Sequence, residues 1–367
     1  MEIPGSNMRI GILGGGQLAM MMIQMSRKYN FDFIVVDPSD NPPASKYARH
    51  IKSNYNDKNT LNLLINECDV ITIDFENVPA DALKYLEGKI KVYPNSVSVE
   101  VCQDRLKEKN LFQEIGIPTT QYKKINSEED LISAIGEIGN DSILKSRKFG
   151  YDGKNQISMD NCTPENAWLK SSGVEAILEK KVNFKTEVSL IGVKTEEKKT
   201  FFYPLVENFH QNGILNSSIA PYENKVLQKQ AENYHNLITD KLNYIGVFVI
   251  EFFINEDNDL IANEMAPRVH NSGHWTNEGA DISQFEAHIM AITNLEIKSI
   301  SISGYSGMVN ILSKMPNEQK LINNSSYNLY DYGKSERENR KLGHITCVKD
   351  NRNDLIENIN DIKSMLI

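Results

Sequence analysis

Cysteine is scarce in this chain of 367 residues. Cys68, Cys102, Cys162 and Cys347 lie far apart and form no CxxC pair. That argues against a cysteine zinc site or a disulfide scaffold, and it fits a reducing cytoplasm. Positive charge is also short. Lys and Arg total 40 against 49 Asp and Glu, a net charge of −9, which speaks against a general nucleic-acid binder. No apolar run reaches the length of a membrane span. The opening "MEIPGSN" lacks the basic and apolar regions of a signal peptide. We expect it to be an added leader ahead of a natural start at Met8. Internal repeats and low-complexity tracts are missing. So is a Walker loop, because "GKS" at 333–335 has no glycine five positions before Gly333.

What is present begins with ordinary globular composition, 40% hydrophobic and 24% charged. From Met8 to about residue 100, strand and helix signals alternate. "RIGILG", "FDFIVVD" and "DVITIDF" read as buried strands, and "QLAMMMIQMSRKY" as a helix whose methionines pack the core. This alternation predicts a parallel sheet flanked by helices. Between the first strand and helix, Gly14-x-Gly16-x-x-Ala19 outlines a dinucleotide fingerprint, and Asp37 ends the next strand where a ribose-binding acid would sit. Glycines there allow close backbone approach, and a helix N-terminus attracts anions. The same outline also fits a plain tight turn, so the motif alone does not establish NAD binding.

After Val101 the character changes. "DRLKEKNLFQEIGIP" reads as a charged helix stopped by Gly116 and Pro118. "SILKSR", "EAILEKKV", "EVSLIGV" and "KTFFYPLV" read as antiparallel strands, "ENYHNLITDKLNY" as a helix, and "IGVFVIEFFINEDNDLIANEMAPR" as a hairpin. Short strands are expected from about residue 300. This region offers a fuller nucleotide site. Lys145 ends a strand before a glycine-containing loop, which suits phosphate oxygens. Strand 177–182 could offer backbone groups to a purine, with Glu179 and Glu187 nearby. Glu251 and Glu264 sit in apolar strands, where a carboxylate is costly unless it is paired or binds metal. With Asn263 they make an oxygen-rich site suited to Mg²⁺. Salt bridges to lysines are the plainer alternative.

"GYDGKNQ", "EVSLIGV", "NEMAPRVHNSGHWT" and "RKLGH" occur in this order along the chain. With them the chain resembles the ATP-grasp enzymes, and specifically the N5-carboxyaminoimidazole ribonucleotide synthetase family of purine biosynthesis. The likeness runs from Arg9 to about Val348. It implies a mixed α/β and α+β fold: a Rossmann-like domain over 1–100, a two-lobed ATP-grasp domain over 101–298 and a small C-terminal β domain over 299–367. The implied reaction joins 5-aminoimidazole ribonucleotide to bicarbonate as ATP becomes ADP and phosphate. A cytoplasmic homodimer is implied too, with no nucleic-acid or membrane partner.

By that resemblance, Arg105, Lys145 and the loop Gly150, Tyr151, Asp152, Gly153, Lys154, Asn155 and Gln156 would hold the nucleotide. Glu179, Lys180, Lys181, Val182, Glu187, His210, Asn263 and Glu264 would complete its site, with Glu251 and Glu264 as Mg²⁺ ligands. Gln17, Leu18, Glu76 and Asn271 would face the ribonucleotide. Its phosphate would meet Lys334, Arg337, Arg340 and Lys341, a basic cluster in an acidic chain. Arg268 would stabilise phosphoryl charge, and His270 or Asp152 would relieve the amine of its proton. Two positions depart from the family loop, where Phe149 and Asn155 replace glycines. Asn tolerates left-handed backbone angles, whereas Phe149 implies another local conformation. Three rivals remain: a formate-dependent glycinamide ribonucleotide transformylase, against which "HNSGHWT" argues; an NAD-dependent dehydrogenase; and a non-catalytic nucleotide-binding protein.

Overall fold

Every apolar strand of the first hundred residues is buried on both faces, and that dictates how the chain begins. The computed structural model describes residues 8–150, 155–160, 162–316 and 327–366. Strands β1 (Arg9–Leu13), β2 (Asp32–Asp37), β3 (Arg49–Lys52), β4 (Val70–Ile73) and β5 (Lys91–Val92) form a parallel sheet in the order β3-β2-β1-β4-β5. Helices α1 (Gln17–Met25), α2 (Lys58–Glu67) and α3 (Ala80–Leu86) connect them. Helix α4 (Ser96–Cys102) leads into α5 (Arg105–Glu114), which stops at Gly116 in left-handed conformation.

A four-stranded antiparallel sheet follows: β6 (Tyr122–Ile125), β7 (Ser142–Ser146), β8 (Gln156–Ser158) and β9 (Ala176–Lys180), ordered β6-β9-β7-β8. Helices α6 (Glu128–Ile138) and α7 (Pro164–Lys170) cover it and share one apolar core with it. The large sheet contains β10 (Phe184–Lys194), β11 (Thr200–Phe202), β12 (Val206–Gln211), β13 (Ile214–Ala220), β14 (Gly246–Asn255) and β15 (Leu260–Ala266). Helix α8 (Lys225–Lys241) precedes β14. Helices α9 (Thr276–Gly279) and α10 (Gln284–Ile292) follow β15.

The C-terminal β segment expected from about residue 300 does not form a sheet of its own among the described residues. Strand β16 (Tyr305–Leu312) pairs with β13, and β18 (Lys341–Lys349) and β17 (Tyr327–Asp331) continue the large sheet. A closing helix, α11 (Arg352–Met365), was not expected from the sequence. Its buried Leu355, Ile359 and Ile362 pack on β16 and β18.

The methionines of α1 do pack core. Met20, Met21 and Met22 join a cluster with Val247 and Val249 of β14 and Ala287 and Met290 of α10. This apolar contact fixes the parallel sheet against the large one. Buried His288 strengthens the joint. Its Nδ1 accepts the Val247 N–H (3.1 Å), so Nε2 carries the hydrogen and donates to Thr72 Oγ1 (2.8 Å). Burial holds the ring neutral, with its pKa pulled down to about 4. The loop after β1 therefore faces the edge of the large sheet.

Candidate functional site

A cavity of about 560 Å³ opens where these sheets meet. The glycine loop contributes Gly16, Gln17 and Leu18, and the end of β4 contributes Asp74 and Glu76. The opposite wall has Arg105, Gly150, Glu251 and Glu264, and Arg268, His270, Asn271 and Lys341 close the space. Residues far apart in sequence, expected to face either a ribonucleotide or ATP, thus share one chamber.

On the first wall, the loop that resembles a dinucleotide cradle is already filled. Asp37 Oδ2 accepts the Gly15 N–H (2.9 Å), and Asp74 Oδ2 accepts the Gly16 N–H (2.5 Å). Asp37 Oδ1 also accepts the Ser39 N–H (2.8 Å). The sequence marked Asp37 as a ribose acid, but its carboxylate turns back onto its own loop. Gly14 sits at φ +105°, and a Cβ there would lie 1.8 Å from Asp74 Oδ1, so only glycine fits. Two of the loop N–H groups that could approach a pyrophosphate are thus taken by carboxyl groups of the same chain. Burial pushes the Asp74 carboxyl up to about 7, against the pull of the Gly16 N–H, Arg268 and Lys334.

Beside it, Arg268 Nε donates to Glu76 Oε2. Burial alone would raise the Glu76 carboxyl, but the Arg268 guanidinium holds it below the ordinary range. Gln17 Oε1 accepts from Lys334 Nζ (2.5 Å), which ties the loop to the C-terminal segment. Burial, with Arg340, Lys341 and Arg337 close by, draws the Lys334 ammonium down to about 8. Lys341 alone of the four expected phosphate-binding cations lines the cavity. Arg340 donates to Ser335 Oγ (2.8 Å) and braces its own loop, and Arg337 is exposed. Asn271 and Asn310 exchange amide hydrogen bonds (3.1 and 2.7 Å).

The second wall is built on the β14–β15 hairpin. Glu251 and Glu264 are direct cross-strand partners. The register then slips, with Phe252 opposite Ala262, so Asn263 is the extra residue of a bulge. Burial pushes the Glu251 carboxyl up to about 8, and neighbouring Glu264 adds repulsion that His210 only partly offsets. Arg105 Nη1 reaches Glu264 Oε2 (3.2 Å), and its Nη2 donates to the Gly150 carbonyl (3.3 Å). His270 is half-buried, and its desolvation beside Arg268 and Lys341 depresses its pKa well below the ordinary value. Its Nδ1 accepts the Ser272 N–H (3.3 Å), leaving the hydrogen on Nε2, 3.6 Å from Glu251 Oε1.

Behind that wall, Glu179 takes Lys145 on Oε2 (2.7 Å) and Lys109 near Oε1 (3.9 Å). Burial would raise its carboxyl, yet the two lysines hold it down at about 2. His210, opposite a bulge of β13, pairs with Glu187. Burial would lower its pKa, but the Glu187 bond raises it. Lys180 is exposed, and Lys181 pairs with Asp160. Val182 is half-buried beyond the end of β9. Tyr151, Asp152, Gly153 and Lys154 lie outside the described residues, as do residues 1–7. Gln156 pairs with Lys145 across β7–β8. Phe149 does not take a different conformation: its φ is +59°, beside +56° at Asn155, so both keep a left-handed backbone. Phe149 stays 69% exposed, where no packing opposes the strain.

Two carboxylates and an amide at one hairpin suit a hard divalent cation. Among the described residues no group of three or more His, Cys, Asp and Glu could hold a metal. The remaining ligands of such a cation would be phosphate oxygens and water.

Asp74, Glu108, Lys109 and Arg147 are site residues that the sequence reading missed. Asp74 closes an apolar strand, the same signal that drew attention to Glu264. Arg147 grips Asp104, the cap of α5, through two nitrogens (2.9 and 2.5 Å) and lines the cavity. Glu108 and Lys109 looked like ordinary helix-surface charge.

Comparison with known proteins matches three segments of the chain. Residues 7–103 match the ribonucleotide synthetase preATP-grasp domain, 110–285 the ATP-grasp domain, and 306–358 the phosphoribosylaminoimidazole carboxylase C-terminal domain. The chain is 38% identical to N5-carboxyaminoimidazole ribonucleotide synthase of Pseudomonas aeruginosa, over 98% of this chain and 99% of that protein. Among solved structures, N5-carboxyaminoimidazole ribonucleotide synthetase from Thermus thermophilus superposes with a TM-score of 0.91 at 37% identity, covering 97% and 98% of the two chains. The Aspergillus clavatus synthase in complex with ADP and 5-aminoimidazole ribonucleotide gives 0.89 at 26% identity, covering 98% and 99%.

Proposed function

The chain belongs to the N5-carboxyaminoimidazole ribonucleotide synthase family of ATP-grasp ligases, and from that premise we propose how its residues divide the work. The reaction is the ATP-dependent carboxylation of 5-aminoimidazole ribonucleotide in purine biosynthesis. Bicarbonate is the carbon source in our reading. A bicarbonate oxygen attacks the γ-phosphorus of ATP, and ADP leaves. The exocyclic amine then attacks the carboxyphosphate carbon, phosphate leaves and the amine gives up a proton.

One observation carries the assignment: a single cavity joins the Glu76–Arg268–Lys341 wall to the Arg105–Glu251–Glu264 wall. The first wall would take the ribonucleotide, with Gln17, Leu18 and Asn271 beside it and Lys341 and Lys334 on its phosphate. The second would take ATP, with Lys145 and the loop 150–156 at the phosphates and Glu179, Lys180, Val182, Glu187 and His210 toward the nucleoside. Glu251, Glu264 and Asn263 would hold Mg²⁺, which when bound neutralises phosphate charge. Arg268, half-neutralised by Glu76, would face the transferring phosphoryl group. His270, held neutral, or Asp152 would take the amine proton. Catalysis of this kind is positioning and charge neutralisation, with no covalent nucleophile.

The domains in this reading are 1–100, 101–298 and 299–367. It also includes a cytoplasmic homodimer, which sedimentation would test. No helix among the described residues is long and apolar enough to cross a membrane. The deciding assay is ADP release with and without aminoimidazole ribonucleotide and bicarbonate. Release that ignores both would overturn the proposed substrates.

A further inference from the structure

Strand β15 is the outer strand of the large sheet, and beyond it only Pro118 and Thr119 pair with its free row, the Pro118 carbonyl accepting the Ala262 N–H (2.7 Å). Buried backbone groups of that kind need partners. Past that bridge, helix α5 supplies partners from two consecutive side chains, Glu108 and Lys109, which are 2% and 1% exposed. Glu108 Oε1 accepts the Met265 N–H (2.5 Å). Lys109 Nζ donates to the Asn263 carbonyl (2.8 Å) and Thr119 Oγ1 (3.0 Å), and Thr119 in turn donates to the Ala262 carbonyl (2.8 Å).

These contacts fall on Ala262 to Met265, the stretch that contains the bulge. Glu251 opposes Glu264 and Phe252 opposes Ala262, so β14 offers no residue opposite Asn263. A strand can slip at such a point, and a slip of one residue reverses the face of every side chain beyond it. The clasp grips both ends of the bulge, one end through an N–H and the other through a carbonyl. Two buried ionisable side chains are an expensive way to satisfy two backbone groups, since apolar replacements of similar size often stabilise a core. The expense is explained if the clasp serves register.

We propose that Glu108 and Lys109 are positioning residues that hold the β15 bulge and thereby aim Asn263 and Glu264 at the cation and nucleotide. The proposal rests on the nucleotide site described above, so its test includes a readout other than turnover. Calorimetry of Mn²⁺ with ADP would compare the wild type with Glu108→Gln, Glu108→Leu and Lys109→Met. Glu108→Gln keeps an acceptor oxygen for Met265 and should bind within about twofold of wild type. Glu108→Leu and Lys109→Met should weaken Mn²⁺–ADP by tenfold or more. They should raise the KM for ATP similarly and move the KM for aminoimidazole ribonucleotide less than about twofold.

Lys109 also pairs with Glu179, so the Gln and Leu variants at 108 are the decisive pair and keep the test open if Lys109→Met does not fold. Equal binding by Glu108→Gln and Glu108→Leu would overturn the proposal. So would a fall in unfolding temperature with unchanged nucleotide affinity, the outcome of a purely structural clasp. If wild-type ADP release ignored aminoimidazole ribonucleotide, the functional reading would fail while the calorimetric comparison still judged the clasp.

Discussion

Two places in this molecule gather polar groups that a ligand could use, and they differ in how far the chain itself satisfies those groups. At the glycine loop, the N–H groups of Gly15 and Gly16 are taken by Asp37 and Asp74 of the same chain. At the β14–β15 hairpin the imbalance is left open. Glu251 and Glu264 repel each other across one strand pair, while Arg105 and Lys145 stand behind them. A motif with familiar spacing can thus be closed to ligand, while carboxylates without a named motif stay available. Satisfaction of the polar groups, rather than their presence, separates the two.

The largest expected effect breaks the open side. Glu264→Gln keeps the shape and removes one of the two negative charges proposed to hold Mg²⁺. Turnover should fall by at least about 100-fold, roughly 2.7 kcal/mol of barrier, in a protein that still unfolds cooperatively. Near-normal ADP production would remove Glu264 from the metal site.

The comparison predicts next that MgATP protects against heat and NAD does not. A ligand at about 100 times its dissociation constant adds roughly 2.7 kcal/mol. Thermal unfolding at matched concentrations checks this, and equal protection by NAD would mean that the glycine loop is open after all.

Within the cavity the two walls should separate kinetically. Lys341→Ala should raise the KM for aminoimidazole ribonucleotide by the equivalent of about 1–3 kcal/mol, the range of a charge-assisted hydrogen bond, and leave that for ATP nearly unchanged. Lys145→Ala should do the reverse. Steady-state kinetics with each substrate varied in turn would show whether the pattern is swapped.

The smallest effect concerns the closed side. Asp74 has its pKa raised to about 7 in the folded protein, against about 3.9 for an unperturbed aspartate. Between those values the folded state holds a proton that the unfolded state has lost. This group therefore costs stability progressively as pH rises from about 4 to 7. Asp74→Asn removes that cost while retaining an acceptor for Gly16. Unfolding measured at pH 5 and pH 7.5 should show the variant gaining on wild type by about 1–2 kcal/mol at the higher pH. A difference that does not change with pH would place Asp74 in a polar, well-solvated setting.

Much of the fold was legible because it is local. The buried runs "RIGILG" and "FDFIVVD" became β1 and β2, and the hairpin around "NEDND" became β14 and β15. Glu251 and Glu264 stood out because a carboxylate in an apolar strand calls for an explanation. Helix α11 escaped because Asp, Asn and Glu fill the turns between Leu355, Ile359 and Ile362, so its apolar stripe is thin. Phe149 misled because a bulky residue at positive φ is rare, and nothing local announces one.

By itself, then, the sequence determined the strand–helix alternation, the chemical inventory of the site and, through its motifs, the family. Periodicity and residue type are properties of neighbours along the chain. Only the tertiary structure decided which donors were already spent. Asp74 reaches Gly16 across 58 positions, Glu108 reaches Met265 across 157, and Lys334 reaches Gln17 across 317. A hydrogen bond depends on distance in space, and the fold alone brings those pairs within about 3 Å of each other.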